Sequence, residues 1–76
     1  MNKQRRDLLK TALDFVERAL SVVTQAKDQE QNCLDNMPEN MIDSDRYAKM
    51  ESAVDQLEEA ENGLEEVKQA ITEAIA

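Results

Sequence analysis

The sequence has no histidine and no tryptophan, and it contains only one cysteine, one proline and one glycine. Histidine is the commonest side chain for proton transfer near neutral pH and the commonest metal ligand. With a single glycine the chain cannot form a glycine-rich phosphate loop. We find no nucleophile beside an obvious base. These absences predict a protein that is not an enzyme and that holds no metal and no cofactor.

The chain also has few ways to stabilise a monomer. Its 76 residues make one domain at most, and Phe15 and Tyr47 are the only aromatic residues. A core of a chain this short rarely contributes more than about 3–5 kcal/mol without a disulfide, a metal or a partner chain. One cysteine excludes an internal disulfide. Self-association is therefore the expected source of additional stability.

Two further absences bear on location. No apolar run approaches the roughly 20 residues that a membrane-spanning helix needs. The basic start of the chain (Lys3, Arg5, Arg6) does not lead into a continuous apolar segment, as a signal peptide would. A single unpaired cysteine fits a reducing compartment. We expect a cytoplasmic protein without a membrane anchor.

Charge is distributed unevenly along the chain. Residues 1–33 carry six basic and five acidic groups, whereas residues 34–76 carry three basic and twelve acidic groups, and the total is −8. Nucleic acids and anionic membranes are bound chiefly through basic charge. Direct binding to either is therefore not expected.

Apolar residues recur at helical spacing in both halves. The first half contains two adjacent rows with spacings of four and three: Leu9, Leu13, Val16, Leu20, Val23, and Leu8, Ala12, Phe15, Ala19, Val22, Ala26. The second half repeats the pattern in one row flanked by Met50, Val54, Ala70 and Ile75: Ala53, Leu57, Ala60, Leu64, Val67, Ile71, Ala74. This pattern predicts an all-α fold, with helices at roughly 3–35 and 44–75 packed as an antiparallel hairpin that forms one domain, residues 1–76.

The stretch CLDNMPENMIDSDRY, residues 33–47, separates the two helices. Pro38 disfavours a helical conformation at Met37, so the first helix should end there or earlier. Asp43 or Ser44 can cap the second helix. We interpret the apolar residues around the bend as a plug that closes this end of the fold: Met37, Met41, Tyr47 and Met50.

Folding the chain at this bend suggests a register in which residue i lies opposite residue 79 − i. Phe15 and Val16 would then meet Leu64, and Gly63 would make room for Phe15. The basic residues Lys3, Arg5, Arg6 and Lys10 would lie beside Glu65, Glu66 and Glu73. Such exposed pairs contribute about 0–1 kcal/mol each.

Two rows of apolar residues form a face wider than one helix–helix contact can cover. We therefore expect a homodimer in the form of a four-helix bundle; the alternatives are a higher oligomer, a complex with a different partner chain, and a monomer. Six residues form the predicted oligomer interface: Leu8, Phe15, Val22, Leu57, Leu64 and Ile71. Replacing Cys33 with serine should leave assembly unchanged, because Cys33 is expected to be neither catalytic nor a metal ligand.

The second helix carries closely spaced acidic residues, which are expected to point outward. Six of them form a candidate partner surface: Glu51, Asp55, Glu58, Glu59, Glu65 and Glu66. They either solvate that face or engage a basic surface on another protein by imitating phosphates. The leading hypothesis is a non-catalytic, self-associating protein–protein interaction module, and the alternative is an inhibitor that mimics nucleic acid.

The segment NMPENMIDSDRYAKMESAVDQLEEAENGLEEV, residues 36–67, resembles a segment of small uncharacterised helical proteins from bacteria and prophages. Those proteins share a PEN-containing bend, a Ser-x-Arg-Tyr-like helix start and an LEEA helix. The resemblance implies no activity or catalytic residue. It implies a small protein encoded by a mobile element, with a role in conflict between phage and host.

Overall fold

The computed structural model describes all 76 residues and consists of two long helices joined by a bend. Helix α1 spans Lys3–Asp35, a single 3-10 turn spans Glu39–Met41, and helix α2 spans Asp45–Ile75. The two helices pack against each other in antiparallel directions, and the molecule measures 59 × 14 × 14 Å along its principal axes. The predicted all-α hairpin and its boundaries are confirmed.

Local hydrogen bonds fix the starts of both helices. The Asn2 side chain accepts a hydrogen bond from the backbone N–H of Arg5 at 2.9 Å, which satisfies one free donor at the start of α1. At the start of α2, Ser44 Oγ accepts from the N–H of Tyr47 at 3.2 Å and donates to the carbonyl of Met41 at 2.6 Å. Of the two predicted caps, Ser44 is therefore the one that is used.

The contact between the helices is narrow, and we call the half-buried residues that form it the seam. In α2 the seam repeats with alternating spacings of three and four: Tyr47, Met50, Val54, Leu57, Glu61, Leu64, Lys68, Ile71 and Ile75. In α1 it follows the same rhythm: Leu9, Leu13, Val16, Leu20, Val23, Lys27, Glu30 and Leu34. Only Val54 is fully buried, with 8% of its surface exposed. The hairpin alone thus has almost no closed core.

The register of the hairpin differs from the prediction. Thr24 and Lys27 both contact Glu61, so the paired positions add up to 85 and 88, not 79. Thr24 is the better marker because its side chain is short. In this register the first eight residues extend past the end of α2, and all eight are exposed. The predicted pairing of Phe15 with Leu64 is therefore wrong.

Two smaller expectations are also wrong. A Cβ atom added to Gly63 would meet nothing within 4 Å apart from its own stretch of helix, so this glycine makes no room for Phe15. The basic residues near the N-terminus form no ion pair with the acidic residues of α2; Arg6 instead donates to the carbonyl oxygen of Met1 at 2.7 Å. The first difference arises because Gly63 is exposed outside the seam, and the second because the register moves the start of α1 beyond α2.

Candidate functional site

A polar cluster interrupts the seam near the middle of α2. Glu61 accepts a hydrogen bond from Lys27 Nζ on Oε1 and another from Thr24 Oγ1 on Oε2, both at 2.6 Å. The side chains of Lys27 and Glu61 are 25% and 17% exposed. Glu61 therefore points toward α1, and the expectation that every acidic side chain of α2 points outward is wrong for this residue.

The cluster changes the proton affinity of both charged groups. The hydrogen bonds from Lys27 and Thr24 hold the pKa of Glu61 below its usual value of 4.5. The hydrogen bond to Glu61 raises the pKa of Lys27 above its usual value of 10.5. Both residues are thus charged at neutral pH. The sequence did contain a signal for the pair, because Lys27 and Glu61 continue the spacing of the apolar seam residues.

The two flanks of the seam differ sharply in polarity. Two antiparallel helices are related by a two-fold axis perpendicular to both, so equivalent flanks of the two seams lie on the same face of the hairpin. One flank is mostly charged or polar and consists of Lys10, Glu17, Thr24 and Gln31 in α1 and Glu51, Glu58, Glu65 and Thr72 in α2. The other flank is apolar over residues 12–26 and 53–74, where it consists of Ala12, Ala19 and Ala26 in α1 and Ala53, Ala60, Val67 and Ala74 in α2.

The apolar flank continues outward into a second row on each helix. In α1 this row contains Leu8, Phe15 and Val22, whose side chains are 66%, 64% and 63% exposed. In α2 it contains the exposed residues Gly63 and Ala70. We call these five residues, together with the seven residues of the apolar flank, the apolar face. This face ends toward the bend, where the same rows continue with other residues: Gln29 and Cys33 in α1, and Arg46, Lys49 and Gln56 in α2.

The six predicted interface residues occupy two different places. Leu8, Phe15 and Val22 lie on the apolar face and are exposed. The other three are half-buried and belong to the seam of α2: Leu57, Leu64 and Ile71. Their outer edges can also contact a second chain in a four-helix bundle. Their role in an oligomer interface therefore stays a prediction.

The acidic candidate surface lies away from the apolar face. All six of its residues are exposed, and none forms an ion pair. Glu51, Glu58 and Glu65 follow the polar flank at intervals of seven residues. Asp55, Glu59 and Glu66 extend this surface around the outer side of α2. The hairpin is therefore acidic on one side and apolar on the other.

The bend end of the hairpin has the composition that the sequence predicted. Met37, Met41, Tyr47 and Met50 are all half-buried there, as a plug requires. Cys33 is exposed and near this end. The surface has no pocket, and no three side chains of the types that bind metals are grouped to hold an ion. Neither helix combines the length and the apolar character needed to cross a membrane.

Comparisons with protein-family models, with curated proteins and with solved structures gave no match to this chain. The chemistry of the two faces is therefore the basis for the proposed function.

Proposed function

We propose that this protein is a non-catalytic, self-associating interaction module that forms a homodimer through its apolar face. The observation that carries the proposal is the exposure of Leu8, Phe15 and Val22, each above 60%, on a face without charge. Monomeric proteins rarely expose a continuous apolar surface of this extent unless it binds something.

The energetics favour covering this face. Fully burying a side chain such as leucine, phenylalanine or valine contributes about 1.5–3 kcal/mol relative to leaving it exposed. The hairpin on its own buries only Val54 completely. Because the core of so short a chain is marginal, the area gained between two chains is comparable in importance to the area buried within each chain.

The charge distribution favours a second copy over a charged partner. A basic or an acidic protein would find no opposite charge on the apolar face. Two copies that meet there keep the six acidic residues of each α2 outside the contact. The repulsion between two chains of net charge −8 then acts across water, where salt screens it. An exposed Cys33 persists as a thiol in the cytoplasm, which is where we place the protein.

Sedimentation equilibrium and circular dichroism across a concentration series test the proposal. The unmodified protein should sediment as a dimer, and its thermal midpoint should rise with concentration because unfolding is coupled to dissociation. Phe15→Asp should weaken association at least about 100-fold, because a carboxylate would be buried without a partner. Gln25→Asp, which places the same charge on an exposed position outside the apolar face, should leave association nearly unchanged. A compact helical monomer with a constant midpoint would contradict the proposal.

A second candidate function rests on the unpaired acidic surface. The regular spacing of Glu51, Glu58 and Glu65 would let α2 imitate phosphates and occupy the nucleic-acid groove of a basic host protein. The resemblance to prophage proteins favours such a role. Capture of a basic partner through this surface should weaken steeply between low and high salt, whereas apolar docking should not. A pull-down from host lysate at two salt concentrations distinguishes the two functions.

A further inference from the structure

In the outer row of the apolar face, the residues on α1 are large and those on α2 are small. The contact between Thr24 and Glu61 places those two positions at the same height along the hairpin. Val22 is then level with Gly63, and Phe15 is level with Ala70, seven residues further along each helix. At both heights, therefore, the outer residue on α1 is large and the outer residue on α2 is small.

The small positions leave open space above the face. Gly63 is exposed, and a Cβ atom added to it would have no neighbour within 4 Å outside its own stretch of helix. The backbone of Gly63 is helical without a positive φ, so its conformation does not require glycine. A glycine inside a helix is about 1 kcal/mol less favourable than alanine. The hairpin itself offers no reason for this residue, whereas close approach of another chain would.

We infer that the partner is a second copy whose α1 lies over α2 of the first, with Val22 of each protomer packed on Gly63 of the other and Phe15 packed on Ala70. This inference depends on the proposed homodimer and specifies its arrangement. A two-fold axis parallel to the helices produces this arrangement. The rotation carries α1 of one protomer to a position over α2 of the other and leaves every residue at its height along the hairpin.

The competing arrangement has its two-fold axis across the helices. It places α1 over α1 and α2 over α2, so that large residues meet large ones and small residues meet small ones. The two chains would then be held apart at α1 and leave a gap at α2. Packed interfaces reach the density of protein interiors, which excludes gaps of this kind. The pairing of large with small residues therefore favours the parallel axis.

The extent of the face suits a stable dimer. From Leu8 to Ala26 it runs 18 residues along α1, or roughly 27 Å at 1.5 Å per residue. It is two helices wide, and each helix with its side chains is about 10 Å across. A flat strip of that size has an area of about 540 Å², so two such strips bury about 1,080 Å², just above the roughly 1,000 Å² expected of a biological interface.

Disulfide trapping between chains that carry a cysteine at different positions tests the arrangement. Four proteins are prepared in the Cys33→Ser background, each with one further substitution: Val22→Cys, Gly63→Cys, Phe15→Cys and Ala70→Cys. Pairs are mixed, heated and cooled to exchange subunits, and then oxidised. A covalent dimer on a non-reducing gel can form only between chains, because each chain carries a single cysteine.

The matched mixtures, Val22→Cys with Gly63→Cys and Phe15→Cys with Ala70→Cys, should form covalent dimers rapidly. The mismatched mixture, Val22→Cys with Ala70→Cys, serves as the control. Its two positions differ in height by seven residues, roughly 10 Å, and a disulfide needs Cα atoms about 4.4–6.8 Å apart. Matched pairs should therefore react at least about tenfold faster than the mismatched pair.

The remaining outcomes separate this inference from the proposed function. Rapid trapping of Val22→Cys or Phe15→Cys with itself would place α1 over α1 and overturn the arrangement while preserving the homodimer. A dimer in sedimentation that traps none of the pairs would overturn it as well. A monomer in sedimentation under the same conditions would overturn the proposed function and the arrangement together.

Discussion

Lys27 Nζ lies 2.6 Å from Glu61 Oε1, and this is the one ion pair in the structure. It joins α1 to α2 within a seam that is otherwise mostly apolar, and Thr24 binds the second oxygen of the same carboxylate. A shift in register that leaves a polar seam residue without its partner costs more free energy than one that re-pairs apolar residues. The polar pair therefore selects one alignment of the two helices. We attribute the register of the hairpin to this pair.

The first prediction concerns acid. Because the pKa of Glu61 is lower in the folded state than its usual 4.5, its contribution to stability is present above that value and is lost as pH falls through the folded-state pKa. Lys27 behaves in the opposite sense: its pKa is raised, so its contribution is present below 10.5 and is lost at higher pH. Thermal unfolding followed by circular dichroism should show both losses.

The matched variants for that measurement are Glu61→Gln and Glu59→Gln. Glu61→Gln should lower the thermal midpoint at pH 7 and flatten its decline between pH 5 and more acidic values. Glu59→Gln removes an equal charge from an exposed residue without an ion pair, and it should change neither. Equal pH profiles for Glu61→Gln and the unmodified protein would show that the pair does not stabilise the hairpin.

The second prediction concerns the start of α2. Ser44→Ala removes the hydroxyl that accepts from the Tyr47 N–H, and loss of such a cap costs about 1 kcal/mol. Asp43→Ala should cost less than about 0.5 kcal/mol, because Asp43 is exposed and its side chain makes no hydrogen bond. Denaturant unfolding at a fixed protein concentration measures both values. The reverse order would assign the cap to Asp43.

The sequence pattern predicts the two helices more accurately than it predicts the register between them. The 3–4 spacing of apolar residues, Pro38 and the cap at Ser44 are local signals, and the helix boundaries followed from them. The register depends on which side chains meet across the two helices. Glu61 was expected to be one more exposed acidic residue, although its contact with Lys27 is the strongest determinant of the alignment. The apolar rows alone are also compatible with the 79 − i register. The exposure of Phe15 and Val22 was predicted correctly, because a single seam cannot cover two rows, whereas Leu8 also lies past the end of α2.

The third prediction tests the small core. Val54→Ala removes two buried carbon atoms at the only fully buried position, and it should destabilise the protein by about 2 kcal/mol. Ile42→Ala removes more carbon atoms from a side chain that is 44% exposed in the bend, and it should cost clearly less. The comparison is made by denaturant unfolding at one protein concentration. A larger effect at Ile42 would place the structural core at the bend instead of in the seam.

The last prediction separates assembly from the fold of each chain. Leu64 lies in the seam and Phe15 on the apolar face, so an aspartate at each position acts on a different contact. Leu64→Asp loses a half-buried leucine of the seam and places an unpaired charge between the helices, a cost of roughly 3 kcal/mol or more. That cost is comparable to the whole stability expected of so small a core. Dissociation and loss of helicity should therefore coincide in this variant.

Phe15→Asp leaves the seam intact, so at equal concentration its thermal midpoint should lie above that of Leu64→Asp and below that of the unmodified protein. Glu66→Asp, which keeps the charge of an exposed residue, is the control and should match the unmodified protein within about 0.5 kcal/mol. Sedimentation and circular dichroism on the same samples provide both readouts. If Leu64→Asp remained a compact helical monomer, the seam would not need Leu64, and the argument that one chain has too little core to fold alone would fail.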